Sequence, residues 1–143
     1  MGTDIEIHVE LRVRGVWEHW SAPHVDRDYR LFTRMAGVRS KGREEEPIFK
    51  PKGLPGDMSL LTSMAAGWEG PDARVPSWLS RDELRVLQLW WEEHIEAELQ
   101  ARRGGGRSFE TEIMGGYLHG DSYTGNLPGG IEDVRVVFWF SNP

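Results

Sequence analysis

Five histidines, His8, His19, His24, His94 and His119, are the first residues in this chain that could carry chemistry. With Asp4, Asp26 and Asp121 as carboxylate partners they offer nitrogen and oxygen ligands for a divalent cation. None stands at the H-x-x-x-H or H-E-x-x-H spacing that puts two imidazoles on one helix face. Asp4, Glu6, His8 and Glu10 do alternate along one stretch, and alternate residues of a strand share a face. Two or three of them could hold a metal. A polar sheet face with an exposed histidine is the simpler reading of the same pattern, so neither metal nor cofactor is expected.

Covalent hydrolysis needs a serine beside a base, usually on a sharp turn. The chain has no G-x-S-x-G; Ser122, near Asp121 and His119 in a glycine-rich stretch, is the nearest approximation. Residues so close in sequence rarely reach triad geometry, and loop polarity explains them better. Gly104–Gly106 and Gly129–Gly130 lack the following Gly-Lys-Ser/Thr of a phosphate loop. The chemistry that remains is recognition. Trp68 stands in a Gly/Pro-rich stretch, and Val86 and Trp90 form a ridge beside the apolar stripe of a helix. Trp68, Val86 and Trp90 are therefore the candidate partner-binding residues, aromatic and apolar anchors being typical of binding hot spots. No enzyme activity is expected.

Positioning these residues requires an alternating strand first. Ile5, Ile7, Val9, Leu11 and Val13 interleave with Glu6, His8, Glu10, Arg12 and Arg14, predicting one apolar and one wet face. Arg14-Gly15 turns the chain into a second short run, Val16–Trp20, as an antiparallel hairpin. Asp26 caps a helix with Tyr29, Leu31, Phe32, Met35 and Val38 on one stripe. A long loop covers 39–57 and includes the acidic triplet Glu44–Glu46, read as a solvated patch. Asp57 caps a short helix through Met58, Leu60, Leu61 and Met64, closed at Gly67, and a Trp68–Ser77 connection follows.

Ser80 and Glu83 form an S-x-x-E capping box for the longest helix, whose stripe is Leu84, Leu87, Trp91, Ile95 and Leu99. Arg102, Arg103 and Gly104–Gly106 end it. Phe109–Leu118 is ambiguous and His119–Gly130 is a polar loop. Val134–Phe140 is nearly continuous in β-branched and aromatic residues, the pattern of a central strand buried on both faces. The expected fold is α+β: a single domain over 1–143, with an antiparallel or mixed sheet built from the N-terminal hairpin and the C-terminal strand, and helices packed on it.

Composition narrows the function classes. The absence of cysteine excludes disulfides, thiolate ligands and a cysteine nucleophile. A net charge of -6 disfavours sequence-blind nucleic-acid binding and suits docking on a positively charged protein surface. No stretch is long and apolar enough for a membrane span, and the N-terminus has neither signal-peptide nor myristoylation character, so a cytoplasmic protein is expected. Of 17 basic residues only Lys41, Lys50 and Lys52 are lysine, and Gln88, Gln100, Asn126 and Asn142 are the sole amides. Both biases fit a thermophilic, GC-rich source, or codon bias alone. Seven tryptophans supply large amphipathic bodies for a small core or a binding face.

Several stretches together carry a resemblance. They are Met1-Gly2-x-Asp4-Ile5, the run Asp28–Phe32 with Met35–Arg39, Gly53-Leu54-Pro55 with Asp57-Met58-Ser59, Ser77-Trp78-Leu79, Gly116-Tyr117-Leu118-x-Gly120, and Ile131–Arg135 with Phe138-Trp139-Phe140. Over nearly its whole length the chain resembles a family of small tailed-phage proteins. Thr3 and Glu6 stand where the family opening has Cys and His, so no thiol or metal role carries over. Within that family its composition is similar to that of an early Thermus-phage protein that binds host RNA polymerase. The resemblance implies a transcription regulator that docks on the β-subunit flap and the C-terminal region of the housekeeping sigma factor. Bound there, it would block recognition of the −35 promoter element; no contact residue carries over. Two alternatives remain open: a small metal- or nucleotide-binding phage enzyme using Asp4, His8 and the 119–130 loop, and an accessory binder of another host protein.

Overall fold

The structure, a computed structural model, describes residues 2–39, 47–69, 74–94 and 129–143. In chain order they form β1 (Asp4–Val13), β2 (Val16–Ser21), α1 (Tyr29–Ala36), α2 (Leu60–Glu69), β3 (Ser77–Ser80), α3 (Arg81–His94) and β4 (Asp133–Ser141). The strands make one antiparallel sheet in the order β2-β1-β4-β3, so the first and last elements of the chain lie side by side at its centre. The fold is α+β, with the N-terminal hairpin and the C-terminal strand in the sheet.

The hairpin turns where expected: Arg14 and Gly15 both take positive φ (53° and 76°), and Val13 pairs with Val16. Two left-handed residues in a two-residue loop match the right-handed twist of the flanking strands. Farther along, the register slips between Val9 and Glu10, which face Ser21 and His19, so β2 carries one extra residue, Trp20. β4 is buried on both faces, as its continuous apolar run predicts.

One face of the sheet is largely apolar across β1, β4 and β3. Ile5, Ile7, Val9 and Leu11 of β1, Val134, Val136, Phe138 and Phe140 of β4, and Leu79 of β3 form a single cluster with α1 and α3. α1 starts at Asp28, whose carboxylate accepts the Leu31 N–H at 3.2 Å, rather than at Asp26. It stops at Gly37 in the left-handed region (φ 73°), whose N–H reaches Thr33 O at 2.8 Å. Phe32 meets Phe140 edge-on at 5.2 Å between ring centroids. The capping box of α3 forms reciprocally: Ser80 N–H donates to Glu83 Oε1 at 3.0 Å and Glu83 N–H to Ser80 Oγ at 3.2 Å.

Two further elements differ from expectation. Ser77–Ser80 is a strand, β3, not the end of a connection, because Leu79 and Ser77 point to the core face while Trp78 points away. α2 is capped by Ser59, whose Oγ accepts the Thr62 N–H at 3.3 Å, and not by Asp57. It also continues past Gly67 to Glu69, which places Trp68 on a helix instead of in a loop. Ile95, Leu99, the Gly104–Gly106 stop, Phe109–Leu118 and the loop over 119–128 lie outside the described residues.

Two substitutions separate core from backbone effects. Phe138→Ala should destabilise by about 3–5 kcal/mol through cavity formation. Gly37→Ala should cost about 1–2 kcal/mol from the left-handed backbone alone, since an added Cβ would meet only Pro47 Cγ at 3.7 Å. Urea titration at constant m-value measures both.

Candidate functional site

The second face of the sheet carries the polar alternation of β1, and its middle is not wet. Residues 54–58 and α2 lie over it, with Ala66 packed on Val137 and Trp139, and Leu54, Met58, Ala65 and Trp78 around them. Beneath this cover Glu10 has 0% exposure and His8 is also buried. The expectation of one wet face on β1 is thus corrected in its middle: His8 and Glu10 point into a second, partly polar interior, whereas Asp4, Glu6 and Arg12 keep contact with solvent.

Glu10 and Arg135 are register partners across β1 and β4. Arg135 Nε donates to Glu10 Oε1 at 2.9 Å and its Nη2 stands 2.8 Å from the same oxygen. Nη1 donates to Asp57 Oδ1 at 2.8 Å. The other Glu10 oxygen accepts the Ser59 N–H at 2.8 Å, at the start of α2. Burial pushes the Glu10 carboxyl up, but the hydrogen bonds from Ser59, Arg135 and Thr62 outweigh it and hold it below the ordinary value of 4.5. Asp57 is also held low, first by its hydrogen bond from Arg135. The guanidinium lies 4.0 Å from the Trp17 ring centroid and 5.8 Å from that of Trp78. Lys52 Nζ sits 3.6 Å from the Trp78 ring and pairs with Glu83. Cations and indoles therefore alternate across the sheet from β3 to β2.

A cleft of about 700 Å³ opens beside this ladder, lined among others by Arg12, Trp17, Pro55, Trp78, Asp133 and Arg135. Its charges are already matched: Arg135 with Glu10 and Asp57, Arg12 with Asp133 at 3.9 Å. A smaller hollow of about 390 Å³ lies at the other end of β1, lined by Asp4, Glu6, His8, His24, Arg74 and Trp139, among others.

Of the proposed metal ligands, Asp4 is held by Arg27 (Nε to Oδ1, 2.7 Å), while Glu6 Oε2 lies 3.2 Å from His8 Nε2. His8 Nδ1 faces His19 Nε2 at 3.0 Å and its ring stacks on Trp139 at 5.0 Å. The two imidazole centroids are 5.2 Å apart, so the rings meet nearly head-on. That geometry suits a hydrogen bond between the two nitrogens. A cation at about 2.0–2.1 Å from each nitrogen needs lone pairs converging off that line. Among the described residues no group of three or more His, Asp or Glu is placed to hold a metal ion. Ser122, Asp121 and His119 lie outside the described residues, as does the side chain of His94.

The sequence-proposed partner residues do not converge. Trp68 is on α2, over the second face, and is 89% exposed. Val86 and Trp90 are on α3, over the first face. Val86 is half exposed, whereas Trp90 is only 9% exposed and belongs to the core, with Arg34 Cζ 5.4 Å from its ring centroid. Trp90 faces inward because the core stripe of α3 is wide: Leu84, Leu87 and Trp91 share it with Trp90.

What residue spacing alone did not reveal is the outer face of α2. Leu60, Met64 and Trp68 recur at i, i+4 and i+8, with Leu61 beside them, and all four are exposed, Leu60 at 75%. The helix is inside out: its bulky apolar residues face solvent, while Thr62 and Ala66 face the sheet. The spacing of Leu60, Leu61 and Met64 marks a helix, but it does not say which side of that helix meets the sheet. No protein-family model, curated protein or solved structure matches the chain significantly. Among the described residues no helix is long and apolar enough to cross a membrane.

Acid should unfold the protein in two windows. Burial, and then His8, lower the His19 pKa below the ordinary 6.5, with Glu10 opposing. The unfolded chain thus binds that proton more readily, and stability present above pH 6.5 is lost as pH falls through the lower folded value. Glu10 and Glu83 are both held below 4.5, so their contribution is lost only at lower pH. A pH series of melting temperatures should show both steps, and His19→Asn should remove the first alone.

Proposed function

We propose that this chain is a non-enzymatic phage regulator that binds the host's bacterial RNA polymerase and acts in the host cytoplasm. α2 is its docking element. The observation that supports docking is the exposed ridge of Leu60, Leu61, Met64 and Trp68. Fully taking a large apolar side chain from water contributes roughly 1.5–3 kcal/mol, so four left in solvent on one helix mark an interface in waiting. A helix presenting anchors at i, i+4 and i+8 fits an apolar groove.

The segment from Met58 to Trp68 carries no charge, and Asp57 and Glu69 flank it. With a chain charge of -6, the complementary partner is a protein groove with a basic rim. The target itself rests on the resemblance to the tailed-phage family, which implies the β flap and the C-terminal region of sigma. Docking there would displace that region and inhibit initiation at −35-dependent promoters. The net negative charge argues against the other home of an apolar helix, an anionic membrane surface.

The test is titration of Thermus RNA polymerase holoenzyme with wild-type and variant protein. A stoichiometric complex is expected, with Trp68→Ala weakening it about 30-fold or more, as for a central aromatic anchor. Because Trp68 is exposed, the melting temperature should not move. Absence of a complex with the holoenzyme would overturn the target. Unchanged affinity of Trp68→Ala and Met64→Ala would overturn the docking face, and binding to anionic vesicles in place of polymerase would overturn both.

A further inference from the structure

We propose that Glu10 and Arg135 are positioning residues for α2, clasping the entry of the helix at two points and so setting where its apolar ridge stands. This rests on reading α2 as the docking element. The two side chains face each other across the central strand pair. From there they reach different residues of the same segment. Arg135 holds the Asp57 carboxylate, and Glu10 accepts the N–H of Ser59, whose own hydroxyl pairs with that of Thr62. Ser59 Oγ and Thr62 Oγ1 are themselves 2.9 Å apart, so the first turn is tied into one network. Such charge-assisted bonds are roughly twice as strong as neutral ones, and a carboxylate at this end of the helix also opposes its dipole.

Among the described residues, few apolar contacts fasten the helix past its first turn: Ala66 packs on Val137 and Trp139 with Ala65 beside it, and the helix runs close to β2. The large side chains that would anchor it point outward, and Gly67 lies inside it. A helix of ten residues does not stand alone in water. The clasp therefore decides the position of α2, whereas α1 and α3 are held by the large apolar cluster on the opposite face. Hydrogen bonding keeps Glu10 ionised through the neutral range, so the clasp is constitutive.

Hydrogen exchange on the free full-length chain tests this without polymerase, so failure of the clasp and failure of the docking target are separate results. In Glu10→Gln, amides 62–69 should exchange about tenfold faster or more, the scale of a lost hydrogen bond to a charged group. Amides of β4 and α3 should change by less than about twofold, as for a local opening. Thr62→Val leaves the Glu10–Arg135 pair intact and keeps the test open should Glu10→Gln not fold; it should accelerate α2 alone, by about threefold. The double swap Glu10→Arg with Arg135→Glu keeps opposite charges across the strands but turns a cation toward the Ser59 N–H, so α2 should stay fast. The proposal is overturned if α2 exchange is unchanged in Glu10→Gln and Thr62→Val. It is equally overturned if every element accelerates by one common factor, or if the swap restores wild-type protection.

Discussion

The structure depends on one buried ion pair, Glu10 with Arg135. Removing two charges from water is costly, and the attraction between them offsets this only when the remaining donors and acceptors are also satisfied. Here they are: the carboxylate takes two donors from Arg135 and one from Ser59, and the guanidinium spans Glu10 and Asp57 between two indoles. The pair is also the cross-strand register of β1 and β4. A one-residue slip of β1 would turn Glu10 to the apolar face and leave Arg135 on the other, so that neither charge could find its partner. The same contact that aligns the two central strands thus holds the chain that covers them.

The two faces of the sheet divide the work. On the first, apolar side chains from three strands and two helices make the stabilising core, and the polar cost there is small. On the second, cohesion comes from hydrogen bonds, cation–indole contacts and the head-on His8–His19 pair, which stitches β1 to the edge strand β2. That economy has a consequence for function. Because α2 is tethered by polar groups at its first turn and by small residues after it, its bulky apolar side chains are released to the outside. A conventional amphipathic helix would have used Leu60, Leu61, Met64 and Trp68 for its own burial.

Local signals were read correctly where local physics decides. The Arg14-Gly15 turn and the Ser80–Glu83 capping box rest on neighbouring residues, the unbroken apolar run of β4 is itself local, and each is present in the fold. Near misses came where two neighbours compete for one role: Asp28 over Asp26, and Ser59 over Asp57, whose carboxylate Arg135 already holds. β3 was illegible because four residues carry too little period, and their strand state is imposed by pairing with β4. Gly67 reads as a helix stop from sequence, which puts Trp68 in a loop, whereas the helix runs on through it to Glu69.

By itself the sequence determined the α+β class, the strand ends of the sheet and the absence of thiol chemistry, because periodicity, turn residues and composition act within a few residues. Only the tertiary structure decided which polar face would be buried and which apolar face exposed. The alternation of β1 marks Glu6, His8 and Glu10 as the side facing away from the core; it contains nothing about Arg135, 125 positions later, or about the later segments that bury His8 and Glu10. The stripe on α2 likewise says that its apolar residues share a side, while which side meets the sheet is set by the clasp at Ser59 and by the close fit of Ala66. Burial is a property of the partner as much as of the residue, and here the partners are distant in the chain.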